Sequence, residues 1–114
     1  MTESLTETQF QAQVVELARI CGWRVLHVRR SIGKGQRWTT TTSIVGWPDC
    51  LFYRPRTGEH FAAELKTDDP KSQLSPEQVE CLDELAASGV EVHVWRPADW
   101  DAIQQRLGRR DATR

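Results

Sequence analysis

At 114 residues the chain has the size of one domain rather than of a multidomain assembly. Fifteen Lys and Arg against sixteen Asp and Glu leave a formal net charge of -1, a balance that taken whole argues against a polyanionic partner. With 39% hydrophobic and 27% charged residues the composition is globular, and no segment approaches the roughly 18 apolar residues that cross a bilayer, so no membrane association is expected.

Met1 to Thr8 carries two acids and no base ahead of the first apolar run, the reverse of a secretory or transit signal, so cytoplasmic residence is expected. The first element is an amphipathic helix. Phe10, Val14, Leu17, Ala18 and Cys21 form one stripe, Ser4 and Glu7 have capping-box spacing, and Gly22 suits the C-terminal stop. Trp23 to Arg30 is rich in β-formers and ends at a basic, glycine-containing loop, Ile44 to Tyr53 is a second strand, and the turn Pro55-Arg56-Thr57-Gly58 leads into a third, His60 to Lys66. Ser75-Pro76-Glu77-Gln78 supplies an N-cap, a proline at the first helical position and a capping-box amide, followed by Val79, Leu82, Leu85 and Ala86 up to Gly89. Val90, Val92 and Val94 alternate as a fourth strand, and beyond Pro97 the residues Trp100, Ile103 and Leu107 form a short helix closed by Gly108. The order α-β-β-β-α-β-α, with a hairpin before a crossover helix, predicts an α/β fold whose mixed β-sheet is flanked by helices. Residues 1–108 read as that single domain and 109–114 as a disordered C-terminal tail.

Cys21, Cys50 and Cys81 form neither an even disulfide set nor a Cys-x-x-Cys half-site and read as buried small hydrophobes. The five tryptophans call for a well-filled core. His27, His60 and His93 recur every 33 residues, yet their surroundings show no repeat and none stands at the short spacing of a zinc pair.

Net charge hides a segregation. Between Leu17 and Pro48 lie Arg19, Arg24, Arg29, Arg30, Lys34 and Arg37 and no acid, whereas Asp68 to Glu91 carries seven acids against Lys71 alone. The acidic block reads as the solvated face of the second helix. The basic island, with Trp38 and the tract Thr39 to Ser43 after it, reads equally as a phosphate-backbone contact or as a solvated loop. On the contact reading, the threonine tract orders when the nucleic acid binds.

Asp49 heads the apolar run Cys50-Leu51-Phe52-Tyr53, and Glu64 and Lys66 stand two apart in the third strand, hence on one face, while Phe61, Ala63 and Leu65 point the other way into packing. The hairpin makes the Asp49 and Glu64 strands neighbours, so the two carboxylates can meet and share a hard divalent cation, Mg²⁺ or Mn²⁺. Gln78 shares its helix face with Leu82 and Leu85 and turns inward. Glu7 is expected on the buried side of the first helix, within reach of the same pocket. For both, membership of a capping box is the plainer reading, and the two roles are compatible.

These residues together resemble a PD-(D/E)xK nuclease, and within that superfamily the virus-type replication-repair nuclease (VRR-NUC) domain. The resemblance runs from Glu7 to Arg96 through Glu7-x-x-x-Gln11, Gly22-Trp23, Gly46-x-Pro48-Asp49, Glu64-Leu65-Lys66, Gln78 and Gly89. It implies a restriction-endonuclease-like αβββαβ core and a Mg²⁺- or Mn²⁺-dependent endodeoxyribonuclease. Asp49, Glu64 and the Leu65 carbonyl would be metal ligands, Lys66 would orient or activate water, and Gln78 and Glu7 would support the site. It further implies a homodimer acting on branched DNA such as Holliday junctions in replication, recombination or repair, encoded by a bacterium or phage. Arg24, Arg29, Arg30, Lys34 and Arg37 are the expected DNA contacts. Rival readings are a DNA-binding accessory domain without catalysis, a restriction, flap or nicking nuclease of the same fold, and a partner module that uses the acidic helix as its interface.

Overall fold

The computed structural model describes residues 5–28, 30–32, 38–40 and 43–108, with 30–32 and 38–40 described by backbone alone, and it is an α/β structure with a four-stranded mixed sheet flanked by helices. In chain order the elements are α1 (Glu7–Ile20), β1 (Arg24–His27), β2 (Arg30–Ile32), β3 (Trp38–Thr40), β4 (Cys50–Arg54), β5 (Glu59–Leu65), α2 (Pro76–Ala87), β6 (Val92–Trp95), a 3-10 turn (Pro97–Asp99) and α3 (Trp100–Gly108). The sheet order is β1-β4-β5-β6, antiparallel except for the parallel β5–β6 pair reached by the α2 crossover. Among the described residues no helix is long and apolar enough to cross a membrane.

Two strands are shorter than their sequence suggests. The run from Trp23 to Arg30 divides: β1 stops at His27, and Arg30–Ile32 instead pairs with Trp38–Thr40 as a separate two-stranded ribbon. The run from Ile44 is strand only from Cys50, because Gly46 has a positive φ of 86° and Pro48 offers no N–H to a ladder. The tail 109–114 lies outside the described residues.

The helix ends follow side-chain chemistry. In α1 the capping box is Thr6 with Gln9, not Ser4 with Glu7: Gln9 N–H donates to Thr6 Oγ1 at 3.1 Å and Thr6 N–H to Gln9 Oε1 at 2.9 Å. In α2 it is Ser75 with Gln78, as the sequence predicts. Both helices end in a Schellman arrangement, with Trp23 N–H on the Ala18 carbonyl at 2.9 Å and Val90 N–H on the Leu85 carbonyl at 2.9 Å.

One face of the sheet carries the main core. Phe10, Val14 and Ala18 of α1 and Ile103 and Leu107 of α3 pack on Cys50, Phe52, Phe61, Ala63, Leu65 and Trp95. Phe52 and Phe61 stack at 4.7 Å, and Trp23 meets Phe61 edge-on at 5.1 Å. Residues of the opposite parity, Ala62 and Glu64, are buried on the other face, where Gln78, Cys81 and Leu82 of α2 lie. Cys50 and Cys81 are buried as expected, whereas Cys21 is only half-buried. The acids Glu77, Glu80, Asp83 and Glu84 lie on the outer side of α2, all four exposed.

Arginine locks α3 onto the sheet. Arg54, buried in β4, donates to the Cys21 carbonyl at 3.3 Å and the Leu107 carbonyl at 3.2 Å, placing one cation at the C-terminal ends of α1 and α3. Trp23 Nε1–H donates to the same Leu107 carbonyl at 2.8 Å, and the Arg54 guanidinium lies 4.5 Å from the Trp23 ring centre. Arg106 bridges Glu59 at 2.9 Å and Glu91 at 2.7 Å, and Arg54 also pairs with Glu59.

Candidate functional site

The β4–β5 ladder ends where the carboxylates begin. The last register pair is Cys50 with Ala63, so one step further Asp49 stands opposite Glu64 and Pro48 opposite Leu65. Because proline cannot continue the ladder, side chains take over its last bonds. Leu65 N–H donates to Asp49 Oδ2 at 2.8 Å, and Asp49 N–H donates to Glu64 Oε1 at 3.2 Å. The expected meeting of the two carboxylate residues is therefore present as a reciprocal lock, each carboxylate holding the other strand's backbone. Glu64 is fully buried and Asp49 half-buried.

The surroundings register that charge. Burial pushes the Cys50 thiol far up, and the Asp49 and Glu64 carboxylates beside it push it further. Burial also raises the Cys81 thiol, followed by Glu84 and Glu64, which sets α2 beside the carboxylate pair. Lys66 is half-buried just beyond β5, and its N–H donates to the Trp95 carbonyl at 2.9 Å. The loop after it is tied down as well: Arg96 donates to the Thr67 carbonyl, and Thr67 N–H donates to Ser72 Oγ at 3.2 Å.

Gly46 docks the loop that carries Asp49 onto the first turn of α2. A Cβ at Gly46 would stand 2.3 Å from the Glu77 carbonyl oxygen and 2.9 Å from the Gln78 nitrogen. Gln78 is buried, as expected, and its Oε1 accepts Ser75 N–H at 2.8 Å, so its capping role is realised.

Glu7 is exposed, not buried. It is the first residue of α1, and the buried stripe starts only at Phe10. It nevertheless lines a cleft of about 1040 Å³ together with Gln11, Val15, Arg19, His27 and Asp49, so α1 does bring Glu7 to the Asp49 side of the molecule. Nothing in the sequence singles out His27 for this cleft. Its register pairing with Cys50, next to Asp49, comes from a strand pairing that the sequence does not reveal.

Of the expected nucleic-acid contacts, Arg24 is exposed on β1. Arg30 lies in β2, where only the backbone is described, and Arg29, Lys34 and Arg37 lie outside the described residues. Thr39 and Thr40 belong to β3, while Thr41 and Thr42 lie outside the described residues. Among the described residues no group of three or more His, Cys, Asp or Glu side chains gathers as a metal cluster. No protein-family model matches the chain, and no curated protein or solved structure does so either.

Proposed function

We propose that this chain is a divalent-metal-dependent endodeoxyribonuclease of the PD-(D/E)xK kind, similar to VRR-NUC domains. The observation that carries the reading is the Asp49–Glu64 lock at the end of the β4–β5 ladder, with Lys66 following Leu65 in the chain. Asp49 and Glu64 each commit one named oxygen to a backbone N–H, and with the Leu65 carbonyl they form an all-oxygen donor set that suits Mg²⁺ or Mn²⁺ rather than a soft metal. Such an ion, when bound, supplies a hydroxide at neutral pH and offsets charge on the phosphate. Asp49 and Glu64 would hold it, Lys66 would donate to the attacking water or to a phosphate oxygen, and Glu7 would face the substrate across the cleft. The basic island would hold the DNA backbone, and a two-fold pair of chains would address symmetric strands of a branched substrate.

The test is cleavage of duplex, flap, single-stranded and four-way DNA by the full chain with Mg²⁺. Asp49→Asn, which keeps an acceptor for Leu65 N–H, and Lys66→Ala are each expected to lower cleavage by about 10²-fold or more while DNA binding persists. Full cleavage by either folded variant refutes the assignment.

A further inference from the structure

The side chains on the α2 face of the sheet form rows across the strands. The register sets Arg24 of β1 opposite Tyr53 of β4, and Tyr53 opposite His60 of β5, so these three lie in one row on one face. All three are exposed, with Tyr53 at 42%. Arg56, in the turn joining β4 to β5, is exposed at the same end of the sheet. His60 Nδ1 donates to the Gly58 carbonyl at 3.2 Å, which orients its ring.

Charge is sorted through the sheet at this end. The acids Glu59 and Glu91 are held on the α3 face by Arg54 and Arg106, and on the opposite face the exposed Arg24 stands beside the exposed ring of Tyr53. Polyanion recognition combines those ingredients: cations for phosphates and a flat ring on which a base stacks. A duplex hides the faces of its bases, so an exposed tyrosine in the middle of a sheet row suits an unpaired nucleotide. Tyr53 is four residues from Asp49 along β4 and His60 four from Glu64 along β5, a separation of about 13 Å at strand rise. Ala62 and Glu64 are buried where α2 lies, so the way from the row toward Asp49 runs along β1 and β4, past the exposed Leu26.

We infer that the row Arg24–Tyr53–His60 is a platform for an unpaired nucleic-acid segment, and that it selects substrates with a single-stranded stretch beside the cleavage position. The inference rests on the nuclease reading for its purpose but not for its measurement. Binding of fluorescein-labelled oligothymidylate of about 12 nucleotides to the full chain is followed by anisotropy in EDTA, beside a blunt duplex of equal length. The single strand is expected to bind more tightly than the duplex. Tyr53→Ala should weaken single-strand binding about tenfold or more, with Tyr53→Phe close to the parent. Arg24→Ala should weaken binding and lower its salt slope by about one. Tyr53→Thr, which keeps a strand-forming residue, stands in if the alanine variant misfolds.

Single-strand binding that is indifferent to Tyr53→Ala and Tyr53→Thr overturns the platform, as does a Tyr53 variant that only changes the oligomeric state. Cleavage assays on the same proteins separate the two readings. Tyr53-dependent binding without cleavage removes the nuclease and keeps the platform. Cleavage without Tyr53-dependent binding does the reverse.

Discussion

Gly46 shows how a single backbone position sets the site. Its φ of 86° acts together with the 2.3 Å that would separate a Cβ there from the Glu77 carbonyl oxygen, so Gly46→Ala would have to shift either the Asp49 loop or the first turn of α2. Gly58, with φ of 77° and open space around it, separates the two effects. Gly58→Ala is expected to cost about 1 kcal/mol, the conformational penalty alone, and Gly46→Ala about 3 kcal/mol, both read from urea denaturation midpoints. Equal costs would mean that the loop does not depend on this close approach. At the same scale Asp49 and Glu64 are legible in the sequence, since strand parity and a hairpin suffice to make them neighbours. Arg54 is not, because its carbonyl partners Cys21 and Leu107 come from two other parts of the chain.

At the scale of elements, legibility follows range. Helices α1 and α2 can be read because their stripes and stops lie within a dozen or so residues of each other, and the Ser75–Gln78 box is visible as spacing. The α1 box lies two residues beyond Ser4–Glu7 because both Ser4–Glu7 and Thr6–Gln9 offer a hydroxyl followed by a long polar side chain three positions on, and only the helix start decides between them. Strand limits are less legible. Where β1 stops depends on β4 beginning at Cys50, a pairing between residues more than twenty positions apart. The caps make a direct prediction: Ser75→Ala and Thr6→Ala should each cost about 1 kcal/mol in denaturant unfolding. Since Ser75 also receives Gln78 N–H on the turn that Gly46 touches, Ser75→Ala should additionally raise hydrogen exchange across that turn of α2, while Thr6→Ala leaves it unchanged.

For the whole molecule, the balance of fifteen bases and sixteen acids conceals two fates for the acids, those of α2 left to solvent and those beside α3 paired with arginine. On the α3 face acids are spent on structure. Hydrogen bonds from Arg106, against the effect of burial and with help from His93, hold the Glu91 carboxyl down to about 2. Burial alone would raise the Glu59 carboxyl, but hydrogen bonds from Arg54 and Thr57 outweigh it and keep it below the ordinary range. A carboxyl depressed in the folded state stabilises the fold fully above its unfolded value of about 4.3. That contribution fades as pH falls toward 2, where folded Glu91 takes up its proton. Glu91 is 38% exposed, so solvent screening trims its share, and the lock is better judged as a unit. Arg106→Leu keeps an apolar side chain against Trp23 and Phe61 but removes the charge. It is expected to lower stability by about 1–3 kcal/mol at neutral pH and, more tellingly, to flatten the loss of stability between pH 4.5 and 2. Urea titrations at pH 7, 4.5 and 3 check both. Parallel pH curves for the variant and the parent would show that the acids on this face are not held by Arg106.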